Sequence, residues 1–471
     1  MLNMVFVGNC QADTLRVLYR KYVTPYAPAN TFHVWSNRKI SEASRVVLRN
    51  ADVIVRQVQD FETEADLGDT PPGAITHLIP AVIGSFLWPF GGRAHPLNAA
   101  AKKGADGPYP PQLGDSFLNE LIAKNVAPQE AVDRYLALDI NSVVSLDRLY
   151  RIVMSRQRRM DKKTGFGVAD VIETHFRSEN TFLTAYHPDW RIMLHLADVL
   201  FRRMDVDSDI LARMHRLQTH AMSPSTQLPI HPSVANHFGM SYIQPDHIYQ
   251  YRHEGTFTFA EWVDRYMRFE WNRQISVGIK LAHAGKDDNQ ALELLESGLT
   301  LSPKAAMAWR AMGQVLIRMN RRAEAAAALA KSLELNPNNA TSHLLAGSLA
   351  LNGRHIDTAE SAYRRSIELD PAQAAAYRTL AGILARQDKS DEAIEAYRTA
   401  IDLSPRHALA AIQLARLLAK TDRLESAAAT VSAALEHNPE HIGLRDLQTQ
   451  LSWGCETKRR VREQPDRHPG S

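Results

Sequence analysis

Two rhythms of apolar residues divide the chain. The first part opens on Met4-Val5-Phe6-Val7, an apolar run closed by Gly8. A polar triplet, Asn9-Cys10-Gln11, then leads into apolar residues at Leu15, Leu18 and Tyr19. That order predicts a strand, a tight turn and an amphipathic helix, with Cys10 at the turn. Apolar runs near residues 31–35 and across 51–58 and 74–82 predict three further strands, with helical segments interleaved. Such alternation builds an α/β domain, a small and mostly parallel sheet with helices on its faces. In open sheets of this kind ligands bind beyond the carboxyl ends of the strands. The Gly8–Gln11 turn, Arg56-Gln57 and the loop after Val82 all fall there.

Residues 86–113 hold Gly91-Gly92-Arg93-Ala94-His95-Pro96 and Pro108-Tyr109-Pro110-Pro111 with little periodicity. An irregular stretch is expected, of the kind that serves function or moves. A helical pattern covers residues 115–158. The segment from Glu179 to Trp190 then repeats the opening outline, with an extended run, a polar turn at His187 and a helical run through Arg203. Pro188 suits the first turn of that helix.

The second half runs on a longer period. Pro303, Pro337, Pro371, Pro405 and Pro439 stand 34 residues apart, and Ala291, Ala325, Ala359, Ala393 and Ala427 keep the same spacing. Small residues recur at Gly313, Gly347, Ala381 and Ala415, and large apolar ones at Leu329, Tyr363, Tyr397 and Val431. A small side chain lets two antiparallel helices approach, and the bulky one fills the groove of the next pair. Proline ends the second helix because it cannot continue the hydrogen-bond ladder. The pattern resembles the tetratricopeptide repeat, an all-α solenoid of helix pairs. Five registers span residues 272–441, the first degenerate, with Ile275 and Ile279 at the aromatic and small positions. Residues 442–457 read as a capping helix and 458–471 as a basic disordered tail. Arg310, Gln314, Arg378 and Arg416 are expected on the concave face, as a mildly basic groove for a protein partner.

Composition narrows the function. The 471 residues suffice for two or three domains, and a net charge of +3 argues against nucleic acid or an acidic membrane surface as partner. Cys10 and Cys455 lie at opposite ends of the chain, so no disulfide framework is visible and a reducing, cytoplasmic setting is expected. No basic leader precedes the first apolar run. The longest apolar stretch, residues 78–90, is broken by Pro80, Gly84, Ser85 and Pro89, so no transmembrane segment is expected. No glycine-rich phosphate loop or metal-ligand spacing is present, and no metal is expected.

A thiol at a helix N-terminus sits near N–H groups whose partial positive charge favours thiolate, so Cys10 is expected to carry a lowered pKa. The alternative is a small buried residue. Four His-Pro pairs occur, at His95, His187, His231 and His468. His187 stands out by lying between an extended segment and a helix, with a hydrogen-bonded structural histidine as its alternative.

Gly8-Asn9-Cys10-Gln11 after the first strand, Gln57 after a later one and His187-Pro188 far downstream are together similar to one family. It is the WcbI-type polysaccharide biosynthesis enzymes, capsule acetyltransferases that bind coenzyme A. The resemblance covers residues 1–270, with the repeats as an added module. It implies an acetyl-coenzyme A-dependent O-acetyltransferase acting on a sugar or polysaccharide precursor. Cys10 would be the nucleophile or lie beside the acyl group, and His187 would be the general base. Asn9 and Gln11 would be oxyanion donors, or helix-capping residues on the alternative reading, and Gln57 would orient the acyl group. Glu179, Asp189 and Asp115 are all open as the carboxylate that orients His187. The family also resembles hydrolases with Ser in a similar turn. Gly114-Asp115-Ser116 matches their triplet but does not follow an apolar strand, and is set aside. The alternatives are a carbohydrate esterase of related fold, or a repeat-based adaptor with an inactive N-terminal domain.

Overall fold

The computed structural model describes residues 2–36, 40–58, 70–100, 109–218, 226–251, 255–270 and 272–462, without the side chains of 99, 100 and 453–462. His468 and most of the basic tail lie outside the described residues. The chain forms two compact units, residues 1–312 and 313–471.

In the first unit β1 (Leu2–Gly8), β2 (Ala29–Trp35), β3 (Val53–Val58) and β4 (Ile75–Pro80) form a parallel sheet in the order β2-β1-β3-β4. Helices α1 (Cys10–Tyr22) and α2 (Glu42–Arg49) connect the first three strands. The apolar run of β1 is buried on both faces, which contributes about 1.5–3 kcal/mol for each large side chain. Val5 and Val7 pack with Val34, Leu48, Ala51 and Ile54 on the α2 side. On the other face Phe6 meets Tyr19 of α1, whose ring stands edge-on to Phe201. The chain goes from β1 to β2 on one side, then crosses to β3 on the other. That reversal leaves a crevice at the carboxyl end of β1, where Gly8 pairs in register with Trp35 and Val7 with Arg56.

The helical pattern of residues 115–158 resolves into α3 (Ser116–Ala123), α4 (Pro128–Leu136), α5 (Ile140–Val143) and α6 (Leu146–Thr164). Asp115, Asp139 and Ser145 each cap the start of a helix, and Pro128 opens another, so polar caps divide the run. After α7 (Val168–His175), β5 (Phe182–Thr184) and β6 (His187–Pro188) form a short hairpin leading to α8 (Trp190–Arg203). Pro188 therefore lies opposite Phe182 in a strand rather than in the first helical turn. Asp189 supplies the cap instead. Its carboxylate accepts the Trp190 N–H at 2.7 Å, and its own N–H donates to the Thr181 carbonyl at 2.8 Å. The stretch after β4 is irregular but pinned. Phe86 stands edge-on to Tyr150, Phe176, Phe182 and Phe238, with ring centroids 5.2–6.4 Å apart. Next come α9 (Ser208–Leu217), α10 (Pro232–Phe238), a hairpin of β7 (Tyr249–Tyr251) and β8 (Gly255–Phe257), and α11 (Phe259–Met267).

The repeats follow as α12 (Arg273–Ala284) with α13 (Asp288–Leu301), α14 (Ala306–Arg318) with α15 (Arg322–Leu335), and α16 (Ala340–Asn352) with α17 (Ile356–Leu369). Next are α18 (Ala374–Arg386) with α19 (Ser390–Leu403), α20 (Ala408–Lys420) with α21 (Leu424–His437), and the final α22 (Ile442–Arg462). The expected contact between small and bulky positions is present. A Cβ on Gly278 would stand 2.8 Å from Leu295, one on Gly313 2.8 Å from Leu329, and one on Gly347 3.2 Å from Tyr363. Turns inside the pairs place Asn320, Arg354, Asp388 and Asp422 at φ of 59°, 63°, 60° and 64°. Asn and Asp tolerate that left-handed conformation best. The first pair is counted with the first unit, and Lys304, just after α13, pairs with Glu261 of α11 at 3.8 Å. Arg310 differs from expectation. It is buried against His283 at 3.3 Å, whereas Gln314 and Arg378 are half-buried and Arg416 is exposed. The basic end also differs, since α22 continues through Lys458, Arg459 and Arg460 to Arg462. Lys and Arg are good helix formers, and no proline intervenes before Pro465.

Asp115 sits deep in the first unit, where its carboxylate accepts from the Tyr135 hydroxyl at 2.6 Å and the Leu118 N–H at 2.9 Å. Burial pushes its pKa from 3.8 up to about 6, against those bonds. The folded state then binds this proton more tightly than the unfolded chain. Stability from the group is fully present below 3.8 and lost as pH rises through about 6. The loss is on the order of 3 kcal/mol. Asp115→Asn keeps a capping side chain without the charge. In urea unfolding, its stability relative to wild type should rise across that pH range and stay constant outside it.

Candidate active site

The turn from β1 into α1 is built on close approach. A Cβ on Gly8 would lie 2.7 Å from Ala12 Cβ and 2.7 Å from both Cβ and Oε1 of Gln57. Glycine therefore lets the Gln57 side chain fold over the turn from the neighbouring strand. Asn9 caps α1, its Oδ1 accepting the Gln11 N–H at 2.8 Å, and its own N–H donates to Gln57 Oε1 at 2.9 Å.

Gln11 is buried, and its amide is saturated. Oε1 accepts from Gln57 Nε2 at 2.9 Å and from the Val82 N–H at 3.0 Å. Nε2 donates to the carbonyls of Val82 at 2.8 Å and Tyr186 at 3.0 Å. The backbone N–H groups of Val82 and Asn9 fix which end of each glutamine amide is oxygen. All three loops expected at the strand ends thus meet on one side chain. The last bond joins residues 175 positions apart, and it ties the neighbour of Cys10 to the neighbour of His187. With its four bonds made, Gln11 is a positioning group and has no hydrogen left for an oxyanion. Gln57 holds the turn rather than facing open space. Among the described residues Asn9 Nδ2 makes no hydrogen bond, which leaves it as the candidate oxyanion donor with the N–H groups of the turn.

Cys10 is a half-buried free thiol. Burial pushes its pKa up, the N–H groups of Cys10 and Gln11 oppose this, and the Asp13 carboxylate adds to the rise. The expected low pKa is therefore not found, because desolvation outweighs the helix N-terminus. The thiol needs a base.

His187 is half-buried, and burial lowers its pKa, so a neutral imidazole is favoured. Its Nδ1 and the Thr184 hydroxyl share a hydrogen bond at 2.7 Å, and Thr184 Oγ1 also accepts the Tyr186 N–H at 3.3 Å. Nε2 makes no hydrogen bond among the described residues. None of the three candidate carboxylates orients this ring. Asp115 bonds Tyr135, Asp189 caps α8, and Glu179 pairs with His175 at 2.5 Å and with Arg191. Sequence reasoning missed Thr184, although a hydroxyl three residues ahead of a histidine in a hairpin was available as a signal.

The other described His-Pro pairs show what a structural histidine looks like here. Nδ1 of His95 accepts the Leu97 N–H at 3.1 Å, and Nδ1 of His231 accepts the Ser233 N–H at 3.0 Å. Each Nε2 then donates to a carbonyl, of Tyr266 at 3.1 Å and of Tyr135 at 2.7 Å. Both nitrogens are used in both rings, unlike His187.

The class is therefore a parallel α/β domain, with a cysteine and a histidine at the carboxyl edge of its sheet, followed by a helical repeat solenoid. Residues 3–209 match the family described as polysaccharide biosynthesis enzyme WcbI. Residues 384–451, and overlapping stretches 289–340, 310–374 and 344–408, match tetratricopeptide repeat families. The chain carries a WcbI-family domain followed by tetratricopeptide repeats. No curated protein matches it. Among solved structures it is similar to MamA, at 22% identity over 35% of this chain and 95% of that one, with a TM-score of 0.32. It is also similar to YrrB, described as a tetratricopeptide repeat protein with an unusual peptide-binding site, at 21% identity over 37% and 90%, with a TM-score of 0.33. A thermophilic tetratricopeptide repeat protein from Thermus thermophilus matches at 18% identity over 38% and 98%, with a TM-score of 0.30. Among the described residues no helix is long and apolar enough to cross a membrane.

Two substitutions separate scaffold from chemistry. Gln11→Ala strands several buried partners and should destabilise the protein by roughly 3 kcal/mol or more in urea unfolding. Thr184→Val releases the His187 ring and should slow the first chemical step by up to about 100-fold. Its melting temperature should change far less than that of Gln11→Ala.

Proposed function

We propose that the N-terminal domain is an O-acyltransferase that moves an acetyl group from acetyl-coenzyme A to a hydroxyl of a sugar or polysaccharide precursor. The observation that supports this reading is the Gln11–Tyr186 bond, which ties the residue after Cys10 to the residue before His187 at the sheet's carboxyl edge. A thiol among helix N–H groups suits a thioester donor, and a polysaccharide biosynthesis family suits a sugar acceptor.

The Thr184 hydroxyl accepts Nδ1–H of His187, leaving Nε2 as base. Nε2 takes the Cys10 proton, and the sulfur attacks the acyl carbonyl. The oxyanion draws on Asn9 Nδ2 and the Cys10 N–H, each worth about 2.7–4 kcal/mol when well aimed. The donor's C–S bond breaks, and its thiolate takes the proton from Nε2. One thioester replaces another, so the step costs little free energy. Nε2 then takes the proton of a sugar hydroxyl as that oxygen attacks acyl-Cys10. The ester forms, the C–S bond breaks, and the Cys10 thiolate regains the proton. The repeats, a protein-interaction module, supply an arm for a partner protein through Gln314, Arg378 and Arg416. A reducing cytoplasm keeps the thiol available.

Intact mass of the full chain after acetyl-coenzyme A should show one added acetyl group, absent in Cys10→Ala. Wild-type turnover by Cys10→Ala would replace the covalent route with direct transfer. Acetate release from an acetylated sugar without coenzyme A would indicate an esterase. Burial lowers the His187 pKa from 6.5, so the acid limb of the acylation rate should have its midpoint below 6.5. An acid limb with its midpoint above 6.5 would remove His187 as the base.

A further inference from the structure

Helix α6 carries a charge that the mechanism above does not use. Its 19 residues hold seven Lys and Arg against two Asp, a net of +5, whereas the whole chain nets +3. The rest of the protein is therefore slightly acidic, and the excess of cations sits on one helix. Six of the seven, Arg148, Arg151, Arg158, Arg159, Lys162 and Lys163, are exposed. Their spacing follows the helical period, so they form one stripe about 20 Å long. The opposite face, with Val153, Met154 and Met160, is buried.

Neither aspartate neutralises the stripe. Asp147 pairs with His237 at 3.0 Å, and Asp161 accepts the Ala169 N–H at 2.7 Å and Gln157 Nε2 at 3.3 Å. Glu173 of α7 pairs with Arg158. Arg148, Arg151 and Lys162 make no ion pair among the described residues. Like charges three or four positions apart repel along a helix, as Arg148 does with Arg151, and Lys162 with Arg158 and Arg159. Arg148 also lies in the first turn, where the helix dipole disfavours a cation. Helix stability alone gives no reason for this stripe, and a polyanion lying along it would offset both costs.

We propose that the exposed face of α6 binds a linear acidic polysaccharide, the acceptor chain of the transfer, a proposal that rests on the acyltransfer reading for what the bound glycan is for. Four of the six exposed cations are arginines, whose planar forks match carboxylates. The shape favours a single chain over a membrane. Ile152 is the one large apolar side chain exposed on α6, so little is available to enter lipid. No aromatic side chain of α6 is exposed to stack nucleic-acid bases. The helix also belongs to the framework of the thiol site. Tyr150 of α6 meets Phe86 with ring centroids 5.2 Å apart, four residues beyond the Val82 that Gln11 holds. A glycan docked on α6 is thus tethered to the domain that carries Cys10, which raises its local concentration there.

The test is binding of fluorescently labelled polygalacturonate to the full chain, with dextran of equal length as the neutral control. Polygalacturonate should bind, dextran should not, and the affinity should fall as salt screens the exposed cations. The triple variant Arg148→Gln, Arg151→Gln, Lys162→Gln should bind about tenfold more weakly or worse. A variant of equal net charge at exposed positions of the repeats, Lys286→Gln, Arg406→Gln, Lys420→Gln, should bind as wild type does. The proposal falls if polygalacturonate does not bind, or if both triple variants lose it alike. It falls also if phosphatidylglycerol vesicles or polyuridylate bind more tightly than polygalacturonate and lose binding in the α6 variant, which would give the face to a membrane or to RNA. Acetylation of Cys10 by acetyl-coenzyme A, read by mass, should be unchanged in the α6 variant, and Cys10→Ala should bind the glycan as wild type does. Glycan binding without acetylation of Cys10 would keep the surface and sink the acyltransfer reading, and acetylation without binding would do the reverse.

Discussion

Three separate stretches of the first domain depend on one buried amide. Gln11 follows the thiol, and its oxygen and nitrogen reach the β3 glutamine, both backbone groups of Val82 and the carbonyl before His187. A buried amide is costly unless every donor and acceptor is matched. Misplacing any one of the three stretches would leave unpaired groups on the others as well, so they are positioned together. The placement of Cys10 and His187 at the sheet edge follows from this requirement. Gly8 makes it possible by letting Gln57 lie against the turn.

The electrostatics follow from the same burial. Loss of solvent raises the Cys10 thiol and lowers the His187 imidazole, so both resting groups are neutral. On the proposed acyltransfer route, a neutral thiol and a neutral imidazole suit proton transfer during reaction better than a standing ion pair would. Thr184, a neutral hydroxyl, keeps that balance where a carboxylate would have pulled the imidazole toward its charged form.

Strands and repeats were legible in the sequence because their signals are local. The β-branched runs give β1 to β4 to within a few residues, and prolines and alanines at one spacing give the helix pairs. The Gly-Asn-Cys-Gln turn was legible in placement, and Cys10 and His187 do lie next to a shared bond. The roles of Gln11 and Gln57 were not. Their partners come from distant strands, so an amide that looks like an oxyanion donor in the sequence is consumed by packing. The pKa of Cys10 failed for a related reason, since a helix N-terminus is visible in sequence and desolvation is not. Arg310 repeats the lesson in the solenoid, where a cation drawn on an open face lies buried against a histidine.

The first helix pair, α12 and α13, belongs to the same compact unit as the sheet. Repeat arrays usually lengthen and shorten by recombination at repeat borders, since each unit needs only its neighbours. Here that freedom has a limit. A crossover at the border between domain and array would take away helices that the first unit counts as its own, including the segment whose lysine pairs with Glu261. Gain and loss of repeats that leave the first unit whole must therefore act beyond residue 312.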